Sequence, residues 1–127
     1  MPTNISRLIL TFASVVFAAV TVGFWAAPGP VAERFGIAAA SAVGIISLRA
    51  DFGALFAAQA FFCGAAVWTK RRCWANAALV VVSAVVAGRM IGWVANGGPG
   101  GDLAGFAVEV VVIGALALLI RGSKPEV

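Results

Sequence analysis

A chain of 127 residues that is 62% hydrophobic and 11% charged, with a mean hydropathy of +1.04, is too apolar for a water-soluble domain, where roughly a quarter of residues carry charge. It has no histidine, which excludes imidazole ligation of haem or metal and any Ser–His or Cys–His nucleophile pair. The net charge of +4 resides mostly in short loops, and no solvated basic face suits a nucleic-acid partner.

Four apolar stretches, bounded by charges, Gly and Pro, predict an all-α integral membrane protein. It is expected to form one domain, residues 1–127, built as a four-transmembrane-helix bundle. The stretches run about Ser6–Ala27, Asp51–Thr69, Trp74–Ala95 and Leu103–Ile120. Each is about 18 to 22 residues long, enough for about 30 Å of hydrocarbon at about 1.5 Å per residue. The first stretch is expected to be retained as helix 1 rather than cleaved as a signal peptide. Its apolar run is longer than a secretory core, and Trp25 occupies the −3 position for cleavage after Ala27.

Pro28-Gly29-Pro30 ends helix 1, and Glu33 and Arg34 come after it. Residues 35–48 carry no charge and predict a short interfacial or re-entrant segment. The expectation is a short helix near 31–40, a turn, and helix 2 starting at about 47–51. A start at Ser41 would make helix 2 about 29 residues long, too long without strong tilt. Helix 3 ends near Asn96, and Gly97-Gly98-Pro99-Gly100-Gly101 is a turn signal. No Lys-Ser/Thr comes after it, so it is no phosphate cradle.

Orientation is set by the cations. One side carries Arg7, Lys70, Arg71, Arg72, Arg121 and Lys124 against Glu126. The other carries Arg34 with Glu33 and Asp102. The positive-inside rule then puts both termini in the cytoplasm, in a bacterial inner membrane.

Arg49, Asp51, Arg89 and Glu109 fall in or at the ends of the apolar stretches, where a charge costs about 2.5–3.5 kcal/mol on insertion scales. Arg89 precedes the end of helix 3, and Glu109 comes after the start of helix 4, by the same number of residues. Both therefore lie about 10 Å below the outer boundary, and contact between them is expected. Gly92, Trp93 and Asn96 lie near the Arg89 face of helix 3. Asp102 and Gly105 share the Glu109 face of helix 4, and Asp51 shares a face with Gln59 and Phe62. The candidate ligand-binding set is Arg89, Glu109, Asp51, Arg49, Gln59, Trp93 and Asn96. These residues predict a polar pocket opening outward between helices 2, 3 and 4, with aromatic walls from Phe52, Phe56, Phe62 and Trp93.

Structural roles compete with this reading. Asp51 suits a helix N-cap, Arg49 a snorkelling cation, and Arg89–Glu109 an ion pair that fixes register. Cys63 and Cys73, about 15 Å apart along mostly helical chain, are too distant for a disulfide. Without a C-x-x-C motif, thiol redox chemistry is not expected. Acid–base chemistry by Asp51 and Glu109 alone stays physically open, but no catalytic residue, metal or cofactor is assigned. Gly88-x-x-x-Gly92, Gly101-x-x-x-Gly105 and Ala60-x-x-x-Gly64 are close-packing patterns, within the chain or between copies.

Arg49-Ala50-Asp51-Phe52-Gly53, Gly88-Arg89 with Gly92, the Gly97-Gly98-Pro99 turn and Val108-Glu109 together resemble a bacterial four-helix family of unknown function grouped with the DoxX-like membrane proteins. The resemblance covers about residues 5–121 and implies a four-helix bundle in the inner membrane. Some DoxX-like proteins are small subunits of quinone-linked oxidoreductases, and others serve redox or cargo handling. This chain lacks the cysteines of a thiol role, so the resemblance speaks to fold and leaves activity open.

The residues support two functional readings. In one, the outward pocket binds a lipophilic small molecule: a quinone, an isoprenoid or a lipid. That requires a cavity of about 300–1,000 Å³ bordered by Arg89 and Glu109; if the two side chains touch directly and fill the space, this reading fails. In the other, the chain is a non-catalytic accessory subunit or assembly factor, joining a homo-oligomer or a larger membrane complex. A transporter ranks third, since no inverted repeat is visible.

Overall fold

In hydrocarbon every backbone N–H and C=O must find its partner within the protein, which for a single chain of this length means helices. The computed structural model describes residues 2–123; Lys124 and Glu126, which enter the charge balance for orientation, lie outside the described residues. The elements are α1 (Pro2–Ala26), α2 (Pro28–Arg34), α3 (Ala42–Ser47), a π-helical turn (Leu48–Phe52), α4 (Gly53–Thr69), α5 (Arg72–Asn96) and α6 (Leu103–Gly122), with no strand among the described residues. Four spans are long and apolar enough to cross a membrane: Thr3–Ala26, Ala42–Thr69, Arg72–Asn96 and Leu103–Gly122. Only 11–28% of each spanning window is buried, while Leu8, Phe12, Val80, Ile91 and Val94 point outward. A water-soluble bundle buries its apolar face; this one displays it, as lipid demands. The chain is a multi-pass membrane protein.

α1 packs on α4 and α6, and α5 packs on the same two helices, so each span has two antiparallel neighbours in an up-and-down bundle. One end carries the Lys70–Arg71 turn and is called the basic end. The other carries the Gly97–Asp102 loop and is called the glycine end. Near the basic end the core is Leu10, Ala13, Cys63, Ala66, Ala75, Ala78, Val112, Ala115 and Leu116. Its many methyl-sized side chains let the helices close tightly. At the glycine end, rings take over from alanines. Phe24 stacks on Phe52 at 5.5 Å and on Phe56 at 5.9 Å, and meets Phe35 at 5.6 Å. Rings hold helices further apart than methyls do, which leaves room for a chamber.

A close contact of α1 and α4 uses the Ala60-x-x-x-Gly64 pattern. The Ser14 hydroxyl donates to the Ala60 carbonyl at 2.7 Å, and a Cβ on Gly64 would stand 3.0 Å from that hydroxyl oxygen. Tryptophans cluster by level: Trp68 and Trp74 flank the turn at the basic end, and Trp25 and Trp93 lie near the other end. That is the placement of an interfacial aromatic belt.

Helix 2 begins earlier than the sequence reading expects. The short helix is Pro28–Arg34, not 31–40, and the second span starts at Ala42 rather than 47–51. Ser41 explains the difference. Its side chain accepts the Gly44 N–H at 3.2 Å as a true N-cap, and no Pro interrupts the residues from Ala42 to Thr69. The π-helical turn absorbs the extra residue in a widened turn. Asp51 therefore sits inside the span and does not cap it.

Gly64→Ala is expected to cost about 1–3 kcal/mol in thermal unfolding in detergent, as overpacking does. Adding Ser14→Ala should recover part of that loss. A Gly64→Ala protein as stable as the parent would mean that α1 and α4 are not in close contact there.

Candidate functional site: an ion-paired cluster above an aromatic chamber

α5 and α6 run antiparallel, so a residue near the end of one faces a residue near the start of the other. Arg89 and Glu109 meet in this way. Arg89 Nε donates to Glu109 Oε2 at 3.0 Å, and Nη2 donates to Oε1 at 2.6 Å, the parallel two-point geometry that guanidinium and carboxylate favour. Nη1 pairs with Asp102. The side chains of Arg89 and Glu109 are 19% and 12% exposed, that of Asp102 49%, so the Glu109 contact is the sheltered one. With both carboxylates ionised, the cluster carries one negative charge beyond neutrality.

Glycines build this arrangement. Gly97, Gly98, Gly100 and Gly101 all adopt positive φ, which lets a short loop turn and return Asp102 over Arg89. Asp102 stands at the start of α6 without capping it, because its carboxylate serves Arg89. At Gly105 a Cβ would lie 3.2 Å from both Arg89 Nη2 and Asp102 Oδ1. Its absence lets the guanidinium lie against α6.

Three cavities meet at Arg89. The inner one is a chamber of about 150 Å³ walled by Phe17, Phe35, Phe52, Phe56 and Val85, with Gln59, Arg89 and Glu109 as its polar edges. Two open clefts flank the glycine loop. One, of about 720 Å³, is bordered by Gly88, Gly92, Trp93 and Asn96. The other, of about 670 Å³, is bordered by Arg34, Ile37, Asp102 and Gly105. Phe35 and Phe52 border both the chamber and this second cleft, so together they form the partition between them.

Of the seven residues singled out in the sequence, the structure brings Arg89, Glu109 and Gln59 to the chamber. Gln59 is buried, and its Nε2 donates to the Ala78 carbonyl at 3.3 Å and more weakly to Cys63 Sγ at 3.7 Å. Its Oε1 is buried without a hydrogen-bond partner among the described residues. Trp93 and Asn96 line the open cleft instead. The Trp93 ring meets Phe106 edge-on at 5.0 Å with a buried, unpartnered Nε1, and Asn96 Nδ2 donates to the Gly92 carbonyl in its own helix at 2.9 Å. Arg49 and Asp51 take no part. Arg49 Nε donates to the Trp25 carbonyl at 3.1 Å, closing the last turn of α1 as cations at helix C-termini do. Asp51 is exposed on the π-helical turn.

The walls also differ from the expectation. Phe62 stacks on Trp74 at 6.0 Å toward the basic end, away from the chamber. Phe17 of α1 and Phe35 of the loop after α2 replace Phe62 and Trp93 as chamber walls. The chamber is thus bordered by all four spans rather than lying between helices 2, 3 and 4. The one advance signal was the uncharged run after Arg34, which a lid over the bundle explains. Arg89 and Glu109 touch directly, and the space left beside them is smaller than the 300–1,000 Å³ of a whole-ligand site. Cys63 and Cys73 are both free thiols, one buried and one exposed.

No family model, no curated protein and no solved structure matches this chain.

Two glycines on opposite sides of Arg89 should respond oppositely to alanine. Gly105→Ala meets a guanidinium pinned by two carboxylates and is expected to lower the unfolding temperature in detergent. Gly88→Ala meets open space and should raise stability by about 0.5–1 kcal/mol through backbone entropy. Equal responses would show that Gly105 makes no room for Arg89.

Proposed function

We propose that this protein is a lipophile-binding membrane protein that seats a ring-sized part of its ligand in the aromatic chamber beneath Arg89 and Glu109. The observation that carries the reading is the chamber itself: a partly open apolar recess, ringed by four phenylalanines, and polar only at Gln59 and the ion pair. A void of about 150 Å³ in such surroundings takes a benzene-sized ring. The remainder of a quinone, isoprenoid or lipid would lie in the cleft beyond Phe35 and Phe52. Arg89 keeps guanidinium N–H donors beyond those held by the two carboxylates, which favours a ligand with a ring carbonyl. No bond-making step is assigned, and no residue is given a catalytic role.

Placement in a bacterial inner membrane, with both termini in the cytoplasm, belongs to the same proposal. Arg7, Lys70, Arg71, Arg72 and Arg121 at the basic end support it through the positive-inside rule. Kinship with the DoxX-like proteins is proposed on the short motifs and the four-helix architecture. The second reading, an accessory subunit, draws support from one face of α5. Met90, Ile91 and Val94 there face outward with Ala95 beside them, an apolar surface that another helix could cover.

Native mass spectrometry of detergent-purified protein tests the ligand reading. The parent is expected to carry a lipophilic species that a folded Val85→Phe variant, its chamber filled, has lost. A bare parent, or a Val85→Phe protein that keeps the species, would overturn it.

A further inference from the structure

The chamber has a polar group at each end. Along α4 the residues that border it run from Leu55 to Gln59, and along α5 from Arg89 back to Val81. Arg89 therefore stands at its glycine end and Gln59 at the end nearer the basic end. Apart from Glu109 beside Arg89, every other bordering side chain is hydrocarbon. Gln59 is 5% exposed, a depth at which leucine would pack without a polar cost. The direction of its amide is fixed. A carbonyl only accepts, so the nitrogen must face the Ala78 carbonyl of α5, to which it donates at 3.3 Å. Its weaker contact, at 3.7 Å, is to Cys63 Sγ in its own helix. With Nε2 spent on the helices, Oε1 is the part of the amide left for the chamber. It is a buried acceptor without a donor among the described residues, a condition that few buried polar atoms in folded proteins tolerate.

We propose that the ring seated in the chamber is a phenol, which donates its O–H to Gln59 Oε1. The proposal rests on the chamber being the ligand site, and adds which ring it takes and which way round. A space of about 150 Å³ takes one ring, so an indole or a naphthol is too large. A ring amine would bring two N–H donors to one acceptor and strand one of them. A hydroxyl brings one donor to one acceptor. A quinone, with a carbonyl at each end, would set its inner oxygen acceptor against acceptor at Gln59, so its reduced, hydroxyl-bearing form fits better. The far side of the ring then faces Arg89, whose remaining N–H donors suit an oxygen there. Ring substituents leave past Phe35 and Phe52 into the open cleft.

The test is fluorine NMR of the detergent-purified full chain with two probes of nearly equal shape. These are 4-fluorophenol and 4-fluorotoluene, which present a hydroxyl or a methyl group to Gln59. Val85→Phe, its chamber filled, supplies the signal due to partition into detergent. Above that baseline the parent is expected to bind 4-fluorophenol about tenfold more tightly than 4-fluorotoluene, the equivalent of about 1.4 kcal/mol for one buried hydrogen bond. Gln59→Leu, shown to be folded by circular dichroism, should lose that preference and still bind 4-fluorotoluene. Equal affinity of the parent for the two probes overturns the phenol and leaves the chamber standing as a site. A preference that survives in Gln59→Leu overturns the hydrogen bond to Oε1. If neither probe binds the parent above the baseline, the chamber reading fails and the phenol with it.

Discussion

An arginine within an apolar span must be neutralised where it stands, and much of the glycine end of this bundle depends on that constraint. Arg89 takes one carboxylate from α6 and a second from the loop that leads into it. To supply both, α5 and α6 must run antiparallel in one register. The loop between them must also double back within a few residues, which the four positive-φ glycines allow. Gly105 must be bare so that the guanidinium can lie flat on α6. Shifting α6 by one residue would turn Glu109 by about 100° away from Arg89 and leave a charge unpaired in an apolar setting. The ion pair therefore acts as a register pin before it acts as anything else.

The core is graded in a way that complements this pin. Alanines at the basic end draw the helices together, and phenylalanines at the glycine end spread them. The chamber opens where the rings are, next to the charges. The lid from Pro28 to Ser41 borders it through Phe35 and is anchored through Ala32 and Phe35 on the Phe24 cluster. Arg49, reaching the end of α1 from the second span, ties the lid's two flanks together. A polar cluster, an apolar chamber and a covering segment are the parts of a small-molecule site, here at the scale of a single ring.

The four spans were legible in the sequence because the bilayer sets their length and apolarity directly. Three of them agree with the sequence reading to within a few residues at each end. The Arg89–Glu109 contact was legible for a related reason: equal depth on antiparallel neighbours leaves few alternatives. The features that escaped were local. Whether the second span begins at Ser41 or near Asp51 turned on one N-cap hydroxyl and a π-helical turn, neither of which composition reveals. Arg49 and Asp51 looked like site residues because charges near a membrane boundary are conspicuous. Their true surroundings depended on where that helix starts. Phe62 fell on the wrong wall because a face shared with Asp51 near the start of a helix drifts over several turns. Phe17 and Phe35 were missed because nothing in an apolar stretch separates a chamber wall from a lipid-facing ring.

Arg89 and Glu109 are coupled, and the glycine end is organised around their pairing. The direct measurement is a double-mutant cycle by reversible unfolding in one detergent. Arg89→Met strands the sheltered Glu109 carboxylate and should cost about 3–5 kcal/mol. Adding Glu109→Leu removes the stranded charge, so the double variant should be more stable than Arg89→Met alone. If the second substitution costs as much in the variant as it does in the parent, the two side chains are not coupled, and their pairing does not organise this end of the bundle.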